Sequence, residues 1–368
     1  MKLRRRAFLA APFSLVGRAQ SVSDDFPGVR RVVAVGDVHG DKDAFAAVLR
    51  MAELIDGEDK WIGGRAHLVQ IGDVPARGPQ TREAFDLLMR LEKEAAGAGG
   101  KVHAIIGNHE VGVMSGDLRN VLPAEYEAFR RPDSEERLKL AFEKELDSLR
   151  RAGRLPSSEA DLEYLKKSWS ERHPPGFVEH REAFSPAGFY GSWIRHNNSV
   201  IRINDTIFVH GGISPKYVAR TRSDLNRAIR RELADPDRLL PGLGTDPLGP
   251  VWYRGLAEEN DAGPLESHVK RLLAFHGVQR IVIGHTVTKS AILPRFRGRV
   301  VNIDIGLSRF YGRPPACLVL EPDGGFVLHR GTKVTLPGPQ PGDLVRYLKA
   351  VEAADGQPSP VTQLLLEK

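Results

Sequence analysis

Three times in the first third of the chain, a β-branched run ends at a glycine, a charged or amide side chain follows, and a helical pattern begins. Arg31-Val32-Val33-Ala34-Val35 leads into Gly36-Asp37-Val38-His39-Gly40, and Ala66-His67-Leu68-Val69-Gln70-Ile71 into Gly72-Asp73-Val74-Pro75-Ala76-Arg77-Gly78. Val102-His103-Ala104-Ile105-Ile106 leads into Gly107-Asn108-His109-Glu110. The first two runs are followed by segments with apolar residues at helical spacing: Phe45, Val48, Leu49 and Leu54, then Phe85, Leu88, Met89 and Leu91, the second stopped by Gly97-Ala98-Gly99-Gly100. Strand, polar cluster and helix in repeated alternation predict an α/β fold with parallel strands in its core. In such folds ligand sites lie at the carboxyl ends of the strands.

The second half supplies two further clusters. His210-Gly211-Gly212 follows the strand-like Thr206-Ile207-Phe208-Val209, and Gly284-His285-Thr286 follows Arg280-Ile281-Val282-Ile283. Residues 200–203, 300–303 and 317–320 also read as strands, and Asn204-Asp205 and Asp323-Gly324-Gly325 as hairpin turns. Residues 117–190 differ in character. They are rich in charge, with helix starts at Asp133-Ser134-Glu135 and Ser157-Ser158-Glu159, the first carrying Leu138, Phe142, Leu146 and Leu149 and the second running to Leu165. This segment reads as a helical insertion over the core, either filler or a cap shaping the substrate entrance. The main domain is expected over residues 30–330, followed by a Pro/Gly-punctuated tail at 337–368 with one short helix at 344–353.

Composition narrows the chemistry. The single cysteine, Cys317, lies in the apolar run Ala316-Cys317-Leu318-Val319-Leu320, so disulfide frameworks and thiolate metal sites are excluded and the thiol is expected in the core. Of the net charge of +6, residues 1–19 carry +5 (Lys2, Arg4, Arg5, Arg6, Arg18 and no acid), leaving +1 for the remainder. Bulk charge therefore gives no case for a nucleic-acid partner. Arg4-Arg5-Arg6, then Ala7-Phe8-Leu9-Ala10-Ala11 and later Gly17-Arg18-Ala19, resemble a twin-arginine export signal, which predicts a periplasmic or otherwise exported protein. The apolar stretch is too short to span a membrane, and the sequence has no other candidate span.

The five clusters mix hard oxygen donors with imidazoles, a set suited to one or two divalent transition metals. Asp37 and His39, two residues apart, would share one face of an extended segment and bind one metal. Asp73 could bridge to a second, with Asn108 as a neutral oxygen and His210 and His285 as imidazoles. Two such cations stabilise the attacking and leaving oxygens of an in-line displacement and provide a water nucleophile at neutral pH, which points to phosphate esters. Arg77 and Arg254 are candidate phosphate-binding guanidinium groups, and His109 a candidate proton donor. Taken singly, Asp73 also fits a helix N-cap and Arg254 a surface ion pair, while His67, His103 and His173 are read as ordinary surface histidines.

As a set these motifs resemble the phosphoprotein phosphatase branch of the calcineurin-like metallophosphoesterases. Trp252-Tyr253-Arg254-Gly255, the charged insertion and Asn302-Ile303-Asp304-Ile305-Gly306 are closer to the bacterial Shewanella-like phosphatases than to the eukaryotic catalytic subunits. The resemblance implies a four-layer sandwich, two central mixed β-sheets flanked by helices. It also implies two ions of manganese, iron or zinc, the first held by Asp37, His39 and Asp73 and the second by Asp73, Asn108, His210 and His285. His109 would donate the proton, and Arg77, Asn108 and Arg254 would bind a phosphorylated protein or small phosphoester. One position departs: the family has an Asp where this chain has Ala76. In the family that Asp orients the catalytic His, so its loss predicts slower turnover and a preference for aryl leaving groups, which need protonation least. Two rival expectations remain, a phosphodiesterase or dinucleoside polyphosphate hydrolase on the same metal core, and a catalytically impaired binding protein.

Overall fold

The computed structural model describes residues 22–235, 241–288, 291–356 and 358–366, so the leader at residues 1–19 lies outside the described residues. The strands, in chain order, are β1 (Asp25–Phe26), β2 (Val32–Val35), β3 (His67–Gln70), β4 (Lys101–Ala104), β5 (Val200–Ile203) and β6 (Thr206–Val209). They continue with β7 (Arg280–Ile283), β8 (Leu293–Arg295), β9 (Val300–Asn302), β10 (Ala316–Glu321), β11 (Gly324–His329) and β12 (Thr332–Thr335). They form two six-stranded sheets, ordered β12-β11-β10-β2-β3-β4 and β1-β5-β6-β7-β9-β8.

The β-branched run of β2 is buried along its whole length, as expected of a central strand covered on both faces. It pairs in parallel with β3, and β3 with β4. On its other side the sheet is mixed, as the family resemblance implies: β10 runs antiparallel to β2 and continues into the antiparallel β11 and β12. The second sheet is mixed as well, with β6, β7 and β9 parallel but β5 and β8 reversed. The two sheets contribute to one apolar cluster that includes Val33, Val35, Leu68, Ile207 and Val282.

Helix Lys42–Met51 buries Phe45, Val48 and Leu49 and is capped by Asp41, whose Oδ1 accepts from Ala44 N at 3.0 Å. Leu54 is buried too, but in the turn beyond that helix. Helix Thr81–Gly97 buries Phe85, Leu88 and Leu91 together with Leu87, and Met89 packs half-buried against the core. Cys317 is fully buried in β10.

The charged segment is helical and splits in two. Helices Phe177–Ala183 and Phe189–Ile194 lie against helix Thr81–Gly97 through Phe85, which meets Phe184 and Tyr190, and through the Tyr190 hydroxyl on Asp86 at 2.7 Å. Helices Ser134–Arg151 and Glu159–Arg172 are mostly exposed. Of the four expected inner residues of the first, only Leu138 is buried. The tail is tied to the core. Helix Asp343–Asp355 buries Tyr347, Leu348 and Val351, and the Asp355 carboxylate takes His329 Nε2 at 2.7 Å and the Ser359 hydroxyl at 2.7 Å. No helix among the described residues is long and apolar enough to cross a membrane.

Candidate metal centre

Each polar cluster begins where a strand ends. Asp37 follows β2, Asp73 follows β3, and Asn108 follows β4 as the first residue of helix Asn108–Ser115. His210 and His285 follow β6 and β7 of the other sheet. Backbone contacts bring the loops together. Val38 N and His39 N donate to Asp73 O at 3.1 and 2.9 Å, and Gly40 N donates to Val74 O at 2.8 Å. Gly40 and Gly78 cross so closely that a Cβ on Gly78 would lie 2.4 Å from His39 O, which no side chain tolerates. Across the sheets, Gly284 N donates to His210 O at 2.8 Å and His285 N to Asp37 Oδ1 at 3.3 Å.

Glu110, in the third cluster, organises this junction although it is not a candidate ligand. Its carboxylate accepts from Gly107 N at 2.7 Å, Asp73 N at 3.0 Å and Val74 N at 2.8 Å, so one buried side chain joins the ends of β3 and β4. Burial, then the neighbouring Asp73 charge, raise its pKa to about 7. Asp73 is also a helix cap, but of a helix remote in sequence: its Oδ1 accepts from His109 N at 2.9 Å.

The donor atoms fit a cation. His39, Asp73 and His109 place one potential ligand atom each within 4.8 Å of one another, and so do Asp73, His210 and His285. Asp37 Oδ2, His285 Nε2 and Asp304 Oδ2 are buried without a hydrogen-bond partner, a costly state that ion coordination relieves. His210 Nδ1 faces Ile71 O at 3.0 Å, which places the ring proton there and leaves a lone pair on Nε2. That Nε2 faces two acceptors, Asn108 Oδ1 at 3.0 Å and Asp73 Oδ2 at 3.2 Å. A cation between the three atoms, or a proton, satisfies them all. The same conflict appears in the titrations: burial opposes charging of His210, yet Asp73 overrides it and raises the imidazole pKa. Burial, then Asp304 and Asp73, hold Asp37 well above the usual carboxylate range. His39 and His285 are pushed by burial to about 3 and about 2, neutral and ready to ligate.

Asp37 and His39 meet, with His39 Nε2 3.8 Å from Asp37 Oδ2, but not by the extended geometry expected. His39 has φ +46°, so a tight turn brings it round. Positive φ recurs through the centre, at Asp73 (+58°), Ala76 (+69°), Arg77 (+64°) and His285 (+67°). Non-glycine residues pay roughly 1–3 kcal/mol each for such conformations and keep them only where the surroundings enforce them.

Arg77 is half-buried, its Nη1 3.1 Å from His39 Nε2 and also donating to the Tyr311 hydroxyl. Its backbone N donates to Asn120 O at 2.8 Å, which ties it to the start of the helical segment. Among the described residues Arg254 makes no ion pair. It is half-buried and donates to His285 O at 2.8 Å and Thr286 Oγ1 at 3.0 Å. The His109 ring makes no hydrogen bond among the described residues; its nearest carboxylate oxygen, Asp73 Oδ2, lies 3.8 Å from Nε2. Ala76 is buried, its N donating to Thr81 Oγ1 at 3.2 Å.

Sequence reasoning gave Glu110 no role and passed over Asp304 and Tyr311 as site residues. Asp304 carried the same signal as the others, an acid just beyond a strand, here β9. It is fully buried, and burial raises its pKa to about 6. All three supposed surface histidines are corrected: His103 is buried beside Phe26, and its Nε2 meets Nδ1 of the half-buried His67 at 3.0 Å. His173 is half-buried, stacked on Trp169.

Comparison with known proteins agrees with this geometry. The family model "Calcineurin-like phosphoesterase" matches residues 30–289. The chain is 28% identical to Shewanella-like protein phosphatase 2 of Arabidopsis thaliana, over 77% of this chain and 73% of that protein. It is 25% identical to Shewanella-like protein phosphatase 1 of Plasmodium berghei, over 77% and 69% of the two chains. Among solved structures it resembles a cold-active protein-tyrosine phosphatase of a psychrophilic Shewanella, with TM-score 0.65 and 28% identity over 85% of this chain and 82% of that one. The chain belongs to the calcineurin-like phosphoesterase family and is a metal-dependent phosphoester hydrolase.

Proposed function

We propose that this protein is a phosphomonoesterase acting on phosphoproteins, with aryl and therefore tyrosyl phosphates preferred over seryl and threonyl ones. The observation that carries the preference is the His109 ring, which makes no hydrogen bond among the described residues, while Ala76, standing where the family resemblance implies the orienting Asp, cannot supply one. An unoriented acid assists a leaving alkoxide poorly, whereas a phenoxide, with a conjugate acid of pKa about 10, leaves with little help. The cold-active protein-tyrosine phosphatases among its structural neighbours support the same reading.

In this scheme Asp37, His39 and Asp73 would hold one cation and Asp73, Asn108, His210 and His285 the other, with manganese, iron and zinc all suited to the donors. Such cations neutralise phosphate charge and make water nucleophilic near neutral pH. Arg77 and Arg254 grip the phosphate oxygens with Asn108, and His109 passes a proton to the leaving oxygen. Glu110 binds no substrate; it keeps the Asp73 and Asn108 loops in register.

The test is metal analysis with para-nitrophenyl phosphate hydrolysis, Asp73→Asn as control, and matched phosphotyrosine and phosphoserine peptides. Loss of turnover in Asp73→Asn and faster tyrosyl hydrolysis are expected. Equal turnover of the two peptides refutes the preference, and faster cleavage of a bis-aryl phosphodiester or a dinucleoside polyphosphate refutes the monoester reading. Bound metals without any turnover would mark an impaired binding protein. We further propose export through the leader. Arg5→Lys with Arg6→Lys should retain the protein in the cytoplasm, and unchanged fractionation would refute this.

A further inference from the structure

The loop from β9 to β10 reaches over the metal centre and carries two adjacent aromatic residues. It turns at Gly306 (φ +71°), where an added Cβ would lie 2.8 Å from Tyr311 Cβ, so the chain doubles back on itself. Arg309 fastens it to the first cluster: its N donates to Asp41 Oδ2 at 2.7 Å and its Nη2 to Asp43 Oδ2 at 2.7 Å. Asp41 is itself buried and caps helix Lys42–Met51, so the anchor point is rigid.

The fastening places two rings around one guanidinium. Tyr311 is half-buried, its ring 5.9 Å from that of His39 and its hydroxyl accepting from Arg77 Nη1. Phe310 packs edge-on to Tyr311 at 4.9 Å yet is 59% exposed. Arg77 Cζ lies 5.7 Å from the Tyr311 ring centre and 5.8 Å from that of Phe310. A single exposed aromatic is unremarkable on most surfaces. Here it is held by an anchored loop beside a candidate phosphate-binding arginine and one residue from a ring against a candidate metal ligand.

We propose that Phe310 is the specificity-determining residue for the leaving group, offering a ring on which an aryl phosphate stacks, and that Tyr311 is a positioning residue that sets the Arg77 guanidinium. The proposal rests on the phosphate-binding role given to Arg77 above. With phosphate held at Arg77, a flat phenyl leaving group reaches the exposed Phe310 ring, where offset or edge contact is favourable. An alkyl group presents no ring and gains little. Ring contact therefore adds an aryl preference at binding, separate from the one that His109 produces in the chemical step.

The experiment uses the metal-loaded full chain and two ligands whose P–C bond resists hydrolysis, phenylphosphonate and methylphosphonate, measured by calorimetry. The wild type should bind the phenyl compound about two- to tenfold more tightly, the worth of one aromatic contact. Phe310→Ala should abolish that ratio and Phe310→Tyr restore it. Because the side chain is largely exposed, neither change threatens folding. Tyr311→Phe should weaken both ligands equally and raise KM for phosphotyrosine and phosphoserine peptides alike with little change in kcat. A phenyl-to-methyl ratio unchanged in Phe310→Ala overturns the specificity role, and unaltered binding in Tyr311→Phe overturns the positioning role. Failure to hydrolyse any phosphomonoester would instead sink the functional reading, since phosphonate binding is measured without turnover.

Discussion

Restoring a carboxylate at position 76 is the sharpest probe of the catalytic reading. Ala76 occupies a left-handed conformation at φ +69° and is 1% exposed. Asp visits that conformation more readily than Ala, so the backbone gains from Ala76→Asp, while the new charge is buried and needs a partner. The His109 ring, without a hydrogen bond among the described residues and with its pKa lowered first by burial, is the partner that the family resemblance implies. An orienting contact of this kind is worth about 10–100-fold, or about 1.4–2.7 kcal/mol of barrier. The gain should fall on the substrate that needs the proton. Turnover of a phosphoserine peptide should rise about 10–100-fold, and that of the matched phosphotyrosine peptide by less than about threefold. The assay is kcat on both peptides in wild type, Ala76→Asp, His109→Ala and the double variant. The cycle isolates coupling between the two positions. A gain that persists without His109, or one equal on both peptides, would refute the argument. So would no gain in a variant that folds and binds metal normally.

Other outcomes can be stated briefly. Asp73→Asn keeps the shape of the cap on His109 N but removes the shared charge, so elemental analysis should find fewer metal ions per chain with the melting temperature little changed. Glu110→Ala leaves the N–H groups of Gly107, Asp73 and Val74 without their acceptor, at about 1–3 kcal/mol each, and should lower both the melting temperature and metal retention. Asp355→Asn should destabilise the attachment of the tail by about 2 kcal/mol at neutral pH, seen by denaturant titration. Burial alone would raise the Asp355 pKa, but His329, Ser359 and Arg330 hold it below the usual range. Its stabilisation is therefore present above the unfolded pKa of about 3.9 and is lost as pH falls through the lower folded value, so wild type and variant should converge only in that acid range.

What the sequence disclosed followed from repetition of one pattern. Asp37, Asp73, Asn108, His210 and His285 were legible because each follows an apolar strand, and parallel strands deliver their ends to one side. The mixed character of the sheets was less so, since the direction of β10 beside β2 depends on a long connection that no local periodicity encodes. The turn at His39 was invisible for a related reason: positive φ in a non-glycine residue is imposed by the surroundings. Glu110 lay in plain view, but its three backbone partners come from two strand ends and are specified only by the fold. Tyr311 reaches Arg77 across 234 positions of chain, a distance over which spacing carries no information.

The left-handed residues clustered at this centre have a consequence for evolution and engineering alike. Glycine would relax the backbone at any of the five positions, but only at Ala76 would little side chain be lost with the strain. At the other four it would remove a candidate donor or a guanidinium, and at Ala76 it would touch the one position that departs from the motif the family resemblance implies. Selection for robustness and selection for turnover thus pull on the same few torsion angles, and variants chosen for heat resistance alone should tend to lose activity first at this centre.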